Sequence, residues 1–267
     1  MSASKEDIVN RIKESKKILI GIGEEFSNKD ISYQSSNVYQ IFKEKKEKEL
    51  EDDKVDWMIE TIKNYYIHSE IGIDHLQTGQ AYRELFNIIQ DKDYFIVNMN
   101  TDGLLEKVGF NHEKIVYPCG RHNQYQCCNN CNNKVVDADE IDKEIIALIC
   151  DKQVKLRDIK QPRCIQCGEN LVYNSVQNSN YCEEGYLEQW KRYTEWTSLT
   201  LNQELCVLEL GVNFKYPTVI RWPFEKIAFI NNKAHFIRIN EKFNQVSSEL
   251  ANKAITVKES AKAFLLR

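Results

Sequence analysis

No apolar run in this chain approaches the length of about 18 residues that a membrane-crossing helix needs, so nothing in it is expected to span a bilayer. Positive charge is not in surplus either. Lys+Arg 36 against Asp+Glu 40 leaves a formal net charge of −4, which argues against nucleic acid as the main partner. The start, MSASKEDIVNRIKES, is charged and amphipathic and lacks the apolar core of a secretory leader. A cytoplasmic protein with reduced thiols is the expectation. Internal repeats and low-complexity tracts are missing too. What is present is 42% hydrophobic residues in 267, enough for a packed core in one large domain or one domain plus a smaller module. Nine cysteines in a reducing compartment point to metal ligands more than to disulfides.

Ser4 with Asp7 three residues on marks a helix N-terminus, and Ile8 and Ile12 give that helix its apolar stripe. The run from Lys17 to Gly23, KILIGIG, is a buried strand entering a Gly-x-Gly turn that reads equally as a phosphate cradle or an ordinary tight turn. Residues 29–90 are mostly helical by period, through Val55, Met58, Ile59, Ile62 and Tyr66 and then Leu85, Phe86 and Ile89. Trp57, Tyr65 and Tyr66 are read as core, and the mixed-sign run from Lys43 to Lys54 as a solvated helix face. Further on, Cys150 to Lys160 is charged and irregular, and Trp190 to Trp196 is an aromatic helix packed on a sheet. A strand from Leu205 to Leu210 ends at Gly211, and a helix from Pro217 to Ile230 is broken near Pro223. His235 to Ile239 is a strand ending at Asn240, Ile255 to Val257 a last strand, and Glu259 to Leu266 a closing helix. Strands alternating with helices predict an α/β fold with a parallel sheet covered on both faces.

The stretch from Asn98 to Cys131 is where chemistry concentrates. The apolar run Tyr94 to Val97 leads into Asn98, Asn100 and Asp102, and a second strand, Lys114 to Tyr117, delivers Cys119-Gly120. Polar groups at the carboxyl end of a parallel strand lie where an open α/β sheet binds its ligand. Asp102 also precedes the helical GLLEKV, so it reads as a helix cap. A cap and a catalytic carboxylate can be the same residue. Cys164-x-x-Cys167-Gly168 has the form of a zinc knuckle, and Cys127-Cys128-Asn-Asn-Cys131 offers its partner at a two- or three-residue spacing. Four thiolates in a tetrahedron leave no open position, so Cys127, Cys131, Cys164 and Cys167 are expected to hold a structural zinc, with Cys128 an alternative to Cys127. Cys150, Cys182 and Cys206 read as core or neutral surface thiols.

In this order and spacing the pieces resemble a sirtuin over nearly the whole chain. The corresponding stretches are Gly21-Ile-Gly23, Asn100-Thr-Asp102, Cys119-Gly120, the two knuckles, Gly211-Val212-Asn213 and Ile239-Asn240. The match is nearest to the macrodomain-linked microbial sirtuins, on Glu209 to Phe214, Pro217 to Glu225, the Cys127–Cys131 spacing and Pro162-Arg163-Cys164. The resemblance implies a Rossmann-like domain over 1–118 and 200–267, which includes the helical segment 29–90. It also implies a zinc-ribbon module with a connecting helix inserted over 119–199. NAD is the implied cofactor, bound through Gly21, Gly23, Asn100, Asp102, Gly211, Val212, Asn213 and Asn240. The implied activity is ADP-ribosylation of a protein acceptor, associated in that branch with a lipoylated carrier protein and with reversal by a macrodomain.

Three departures sharpen the expectation. Glu24 and Glu25 follow Gly23, and two carboxylates there repel a pyrophosphate unless they point away. Cys119 stands at the position of the family's base histidine. A thiol of pKa about 8.5 replaces poorly an imidazole of about 6.5, which disfavours deacylation but not transfer of ADP-ribose. His122 nearby reads as a surface loop residue. The acyl-peptide Phe-Gly-Glu is absent after the second knuckle, where Leu171 to Gln177 runs instead, and Met99 replaces a common glutamine. For the reaction itself, Asp102 is expected to stabilise positive charge on the ribose and Asn100 to orient the ribose or a water. Two rival readings stand beside the transferase: a silent NAD- or ADP-ribose-binding protein, and an NAD glycohydrolase.

Overall fold

A computed structural model of the chain describes residues 4–28, 31–49 and 52–267. Its strands in chain order are β1 Lys17–Ile22, β2 Asp93–Asn98, β3 Ile115–Val116, β4 Gly120–Cys127, β5 Val135–Asp137, β6 Leu171–Ser175, β7 Leu205–Leu210, β8 Ala234–Ile239 and β9 Ala254–Val257. The α-helices are α1 Lys5–Glu14, α2 Asn37–Glu49, α3 Met58–Tyr65, α4 Gln77–Ile89, α5 Leu104–Val108, α6 Asp139–Cys150, α7 Glu184–Ser198, α8 Arg221–Ile230 and α9 Ala261–Leu266. The chain divides into two compact units, one of residues 1–27, 77–119 and 186–267, the other of 28–76 and 120–185.

The first unit is built on a parallel sheet of order β3-β2-β1-β7-β8-β9. Near-continuous apolar strands are what a sheet buried on both faces requires, and β1 and β7 are buried almost throughout. Register brings four strands to one finishing line. Ile22 pairs with Asn98 and with Leu210, and Leu210 pairs with Ile239. The residues that follow them, Gly23, Met99, Gly211 and Asn240, therefore leave the same carboxyl edge. Strand order reverses between β1 and β7, which makes that point the switch where an α/β sheet opens a ligand crevice.

Helices cover both faces, as expected. Phe95 meets the rings of Tyr193 and Trp196 on α7, and a Cβ on Gly21 would lie 2.4 Å from Ile220 and 2.8 Å from Phe224 of α8. On the opposite face Tyr94 meets Phe110, which meets Phe86 of α4. Ser4 and Asp7 form the capping box of α1, with each backbone N–H donating 3.1 Å to the other side chain. The break expected near Pro223 does not occur. Pro223 sits in the first turn of α8, where its missing N–H has no intrahelical acceptor to lose.

The second unit joins helices to a small antiparallel sheet of order β5-β4-β6. Its core packs Val38 and Phe42 of α2 and Met58 and Ile62 of α3 with Ile145, Ile146 and Ile149 of α6. This core is why residues 28–76 cluster with 120–185 and not, as expected from sequence, with the large domain. Residues 186–199, expected in the small module, likewise cluster with the parallel sheet, through the contacts of Tyr193 and Trp196. Residues 29, 30, 50 and 51 of the expected helical segment lie outside the described residues.

Candidate active site and metal centre

At the switch point β1 and β7 approach so closely that only backbone fits between them. Gly23 N–H donates to the Leu210 carbonyl at 2.9 Å, and a Cβ on Gly23 would sit 2.3 Å from both the Gly211 oxygen and Val212 Cα. Gly211 holds φ at +62°, and its own Cβ would meet Glu25 Cβ at 2.5 Å. Both positions thus require glycine.

Asn100 ties the end of β2 to this turn. Its Nδ2 donates 3.0 Å to the Gly23 carbonyl and 3.0 Å to Asn98 Oδ1, while its backbone N–H also donates to Asn98 Oδ1 at 3.0 Å. Asp102 is buried and accepts the Leu104 N–H on Oδ1 at 3.1 Å, an Asx turn leading into α5. The N-cap itself is Gly103 at φ +62°, so the expected Asp102 cap is displaced by one residue. Across the edge, the Val212 carbonyl accepts from Asn240 Nδ2 at 2.8 Å and from Arg221 Nη1 at 3.0 Å. Asn240 Oδ1 in turn accepts the Lys242 and Phe243 N–H groups at 3.0 and 2.7 Å. The Asn240 side chain is therefore engaged as a brace for two loops. Asn213 Oδ1 takes the Lys215 N–H at 2.7 Å in a local turn. Gly21, Gly23, Asn100, Asp102, Cys119, Gly211, Val212, Asn213 and Asn240 all belong to the first unit.

Sequence reasoning missed what holds this edge rigid. Glu209 and Arg238 are register partners on β7 and β8 and have fully buried side chains. Arg238 grips Glu209 with Nε and Nη2, 2.7 Å each, and Arg221 Nη1 adds a third contact at 3.1 Å. Arg221 Nη2 continues to the Phe243 and Gln245 carbonyls at 2.8 and 3.3 Å. Opposite charges inside two adjoining apolar strands were the available signal.

The two glutamates after Gly23 part ways. Glu25 turns from the edge, accepting the Glu241 N–H at 2.9 Å on Oε1 and the Ala261 N–H at the start of α9 at 2.6 Å on Oε2. One of the two expected repulsions on a pyrophosphate is thereby removed. Glu24 does not turn away in this manner. Its Oε2 is shielded from solvent and has no hydrogen-bond donor among the described residues. Cys119 is buried, and burial first, with the Glu24 charge second, pushes its thiol up to about 12, against a weaker opposing effect of Lys215. At neutral pH Cys119 is a thiol, neither nucleophile nor proton acceptor.

In the second unit, Cys127, Cys131, Cys164 and Cys167 place their sulfurs within 4.8 Å of one another. Cys127 Sγ lies 3.5 Å from Cys167 Sγ, and Cys131 Sγ 3.6 Å from Cys164 Sγ. A tetrahedron with Zn–S bonds of about 2.3 Å has edges of about 3.8 Å, so the set fits zinc. Asn130 at φ +48° and Gly168 at φ +77° turn the two knuckles. The backbone N–H groups of Cys131 and Asn129 lead in lowering the Cys127 thiol to about 7. Cys128 points instead to Asn129 Oδ1 at 3.8 Å and is not in the set. His122, expected on a surface loop, lies in β4 with its ring 5.5 Å from that of Tyr173. A further buried carboxylate, Asp142, accepts the Tyr125 and Tyr173 hydroxyls at 2.6 Å each and Asn64 Nδ2 at 3.0 Å.

No protein-family profile matches the chain. It is 21% identical over 193 residues to a protein ADP-ribosyltransferase of Staphylococcus aureus, covering 70% of this chain and 59% of that one. It is 31% identical over 140 residues to a probable bifunctional ADP-ribose hydrolase/ADP-ribosyltransferase of Fusarium oxysporum f. sp. cubense, covering 51% of this chain and 24% of that protein. The chain thus spans less than two thirds of either relative. Among solved structures, Sir2Tm bound to a propionylated peptide aligns over 99% of this chain and 97% of its own at a TM-score of 0.55 and 14% identity. A Sir2 homologue in complex with NAD aligns over 99% and 92% at 0.55 and 13% identity. Among the described residues no helix is long and apolar enough to cross a membrane. The parallel sheet with its inserted four-cysteine module, the chain order of the motifs and these alignments agree that the fold of this chain is the sirtuin fold.

Proposed function

We propose that this protein is an NAD-dependent protein ADP-ribosyltransferase of the sirtuin type, which breaks the nicotinamide–ribose bond and passes ADP-ribose to a protein acceptor. One observation carries the reading: Asn100 is bonded to the glycine turn at the sheet's switch point, with the buried carboxylate of Asp102 two residues on. The NAD complex of a structural neighbour and the transferase names of both sequence relatives support it. The glycine-only approach of Gly23 and Gly211 suits a dinucleotide, whose pyrophosphate requires close backbone.

When bound, NAD supplies a glycosidic bond whose cleavage develops positive charge on the ribose carbon. Asp102, fixed by the Leu104 N–H at the start of α5, offers a preorganised negative charge to that centre. Asn100, held by two accepting carbonyls, orients the ribose face. The 211–213 turn, braced by Arg221 and Asn240 on the Val212 carbonyl, shapes the phosphate side. Asn240 acts through that turn on the adenosine ribose side. Cys119, a buried thiol, lines the site without moving a proton, which favours transfer over deacylation. The four-cysteine set holds zinc as a closed structural centre and suits a reducing compartment such as the cytoplasm.

A lipoylated carrier protein is the acceptor proposed, with a macrodomain protein reversing the modification. The hydrolase half of the fungal relative's name supports that pairing. The test is nicotinamide release from NAD by the zinc-loaded protein with and without cell lysate, following ADP-ribose by mass spectrometry. ADP-ribose on a lysate protein is expected. Free ADP-ribose identifies a glycohydrolase, and no release with either sample identifies a nucleotide-binding protein without turnover. Asp102→Ala is expected to lower release at least 100-fold, and unchanged release refutes its role.

A further inference from the structure

An anionic oxygen sealed from water with nothing to bond is costly, and native structures keep few of them. Glu24 Oε2 is one among the described residues. Its neighbour Glu25 shows that a carboxylate in this turn can find two backbone donors, so the orphan is not imposed by the turn itself. Glu24 follows the residue whose carbonyl takes the Asn100 amide at 3.0 Å, and its charge acts on the Cys119 thiol. It therefore adjoins the glycine turn that Asn100 holds, at the carboxyl edge where the candidate site lies.

Transfer of ADP-ribose from NAD to an acceptor X–H releases one proton that some group must take. Asp102 already accepts the Leu104 N–H, and Cys119 is a thiol with no affinity for a second proton. A carboxylate is acceptor-only, repels the pyrophosphate and is suited to a donor hydroxyl, thiol or amine. We propose that Glu24 is the proton acceptor of the transfer step. As X bonds to the ribose carbon, the X–H bond breaks and its proton passes to the Glu24 carboxylate. The electron pair of the broken glycosidic bond leaves with neutral nicotinamide. The proposal rests on the transferase reading.

The experiment compares wild type, Glu24→Gln and Glu24→Asp, each zinc-loaded, in three measurements: ADP-ribose binding by calorimetry, nicotinamide release, and alkylation of Cys119 by iodoacetamide. Glu24→Gln is expected to bind ADP-ribose as tightly as wild type or tighter, since a charge facing the ligand is removed. It is expected to lose roughly 100- to 10,000-fold in kcat, the span of general-base contributions, with Glu24→Asp recovering part. Cys119 is expected to alkylate faster in Glu24→Gln, because the charge that disfavours its thiolate is gone, a readout independent of turnover. Release within threefold of wild type in Glu24→Gln overturns the proposal, as does ADP-ribose affinity that falls in step with kcat. Unchanged alkylation overturns the placement on which it depends. Failure of the transferase reading shows differently, as a wild type that releases no nicotinamide or leaves only free ADP-ribose, and the proposal then falls with it.

Discussion

Replacing Arg238 with methionine should be among the most damaging single changes available to this protein, though Arg238 touches no proposed ligand. Arg238 makes two contacts with Glu209 at 2.7 Å, one with Glu225 at 2.7 Å and one with the Gln245 carbonyl at 2.5 Å. Methionine fills much of the volume and removes every donor. Glu209, whose side chain is 0% exposed, keeps only the Arg221 contact at 3.1 Å. Breaking a buried pair by deleting one partner costs about 3–5 kcal/mol. At roughly 2–4 °C per kcal/mol for a domain of this size, the melting temperature should fall by about 6–20 °C. Thermal denaturation followed by circular dichroism at pH 7 measures it. The double variant Glu209→Leu/Arg238→Met tests the cause, since Arg221 retains its carbonyl acceptors at Val212, Phe243 and Gln245. It should recover at least half of the single variant's loss, because the stranded carboxylate is gone. A single variant that melts within 2 °C of wild type, or a double variant that melts below the single, would refute the stranded-charge argument.

Other expectations concern separate parts of the molecule. Metal analysis should find one zinc per chain, lost in Cys127→Ser and kept in Cys128→Ser; the reverse pattern would exchange the two assignments. Gly23→Ala should abolish nucleotide binding or folding, since its Cβ falls 2.3 Å from Gly211 and Val212 backbone, and a folded variant with wild-type ADP-ribose affinity would contradict that packing. Glu25→Gln should lower stability by about 1–2 kcal/mol through weakened acceptance from Glu241 and Ala261 N–H, read as a shift in the urea midpoint, with no shift counting against the brace. Burial holds the Asp142 carboxyl above its usual range despite three donors. The native state then binds more protons than the unfolded state just above the usual carboxylate pKa, so the slope of stability with pH is negative there. The stability that Asp142 confers relative to Asp142→Asn should be full below pH about 4 and shrink as pH rises through the folded value. A gap between the two variants that widens with pH would reverse the sign and the reasoning.

Local chemistry was legible in the sequence and distant pairing was not. Apolar runs announced β1, β2, β7 and β8 because a strand buried on both faces leaves few polar positions. Asn100 and Asp102 were visible because they directly follow an apolar strand run, and each knuckle because its own two cysteines lie three or four positions apart. That Asn100 bonds Gly23, 77 positions away, was not. The β4–β6 sheet was not read. Arg121, His122, Asn123 and Gln124 interrupt any apolar alternation in β4, and a register shift falls between Arg121 and Tyr125. The direction of Glu25 depends on Glu241 and Ala261, more than 200 positions away, which no local pattern encodes. The choice between Cys127 and Cys128 needed coordinates for the same reason, since both spacings close a knuckle on paper. Pro223 misled because proline breaks helix interiors but is tolerated in a first turn.

The core that joins α2 and α3 to α6 has a bearing on how the protein is made. Synthesis proceeds from the amino terminus at about 5–20 residues per second. Met58 and Ile62 of α3 leave the ribosome roughly 85 residues before Ile145, which is about 4–17 seconds of waiting. Throughout that interval the apolar faces of α2 and α3 lack the helix that covers them. Of the two strands that pair with β1, β2 arrives within that interval, and β7 only about 60 residues after Ile145. Nascent chains halted before residue 139 should therefore expose the apolar faces of α2 and α3 to chaperones and proteases, and chains extended past residue 160 should bury those faces while the parallel sheet still awaits β7.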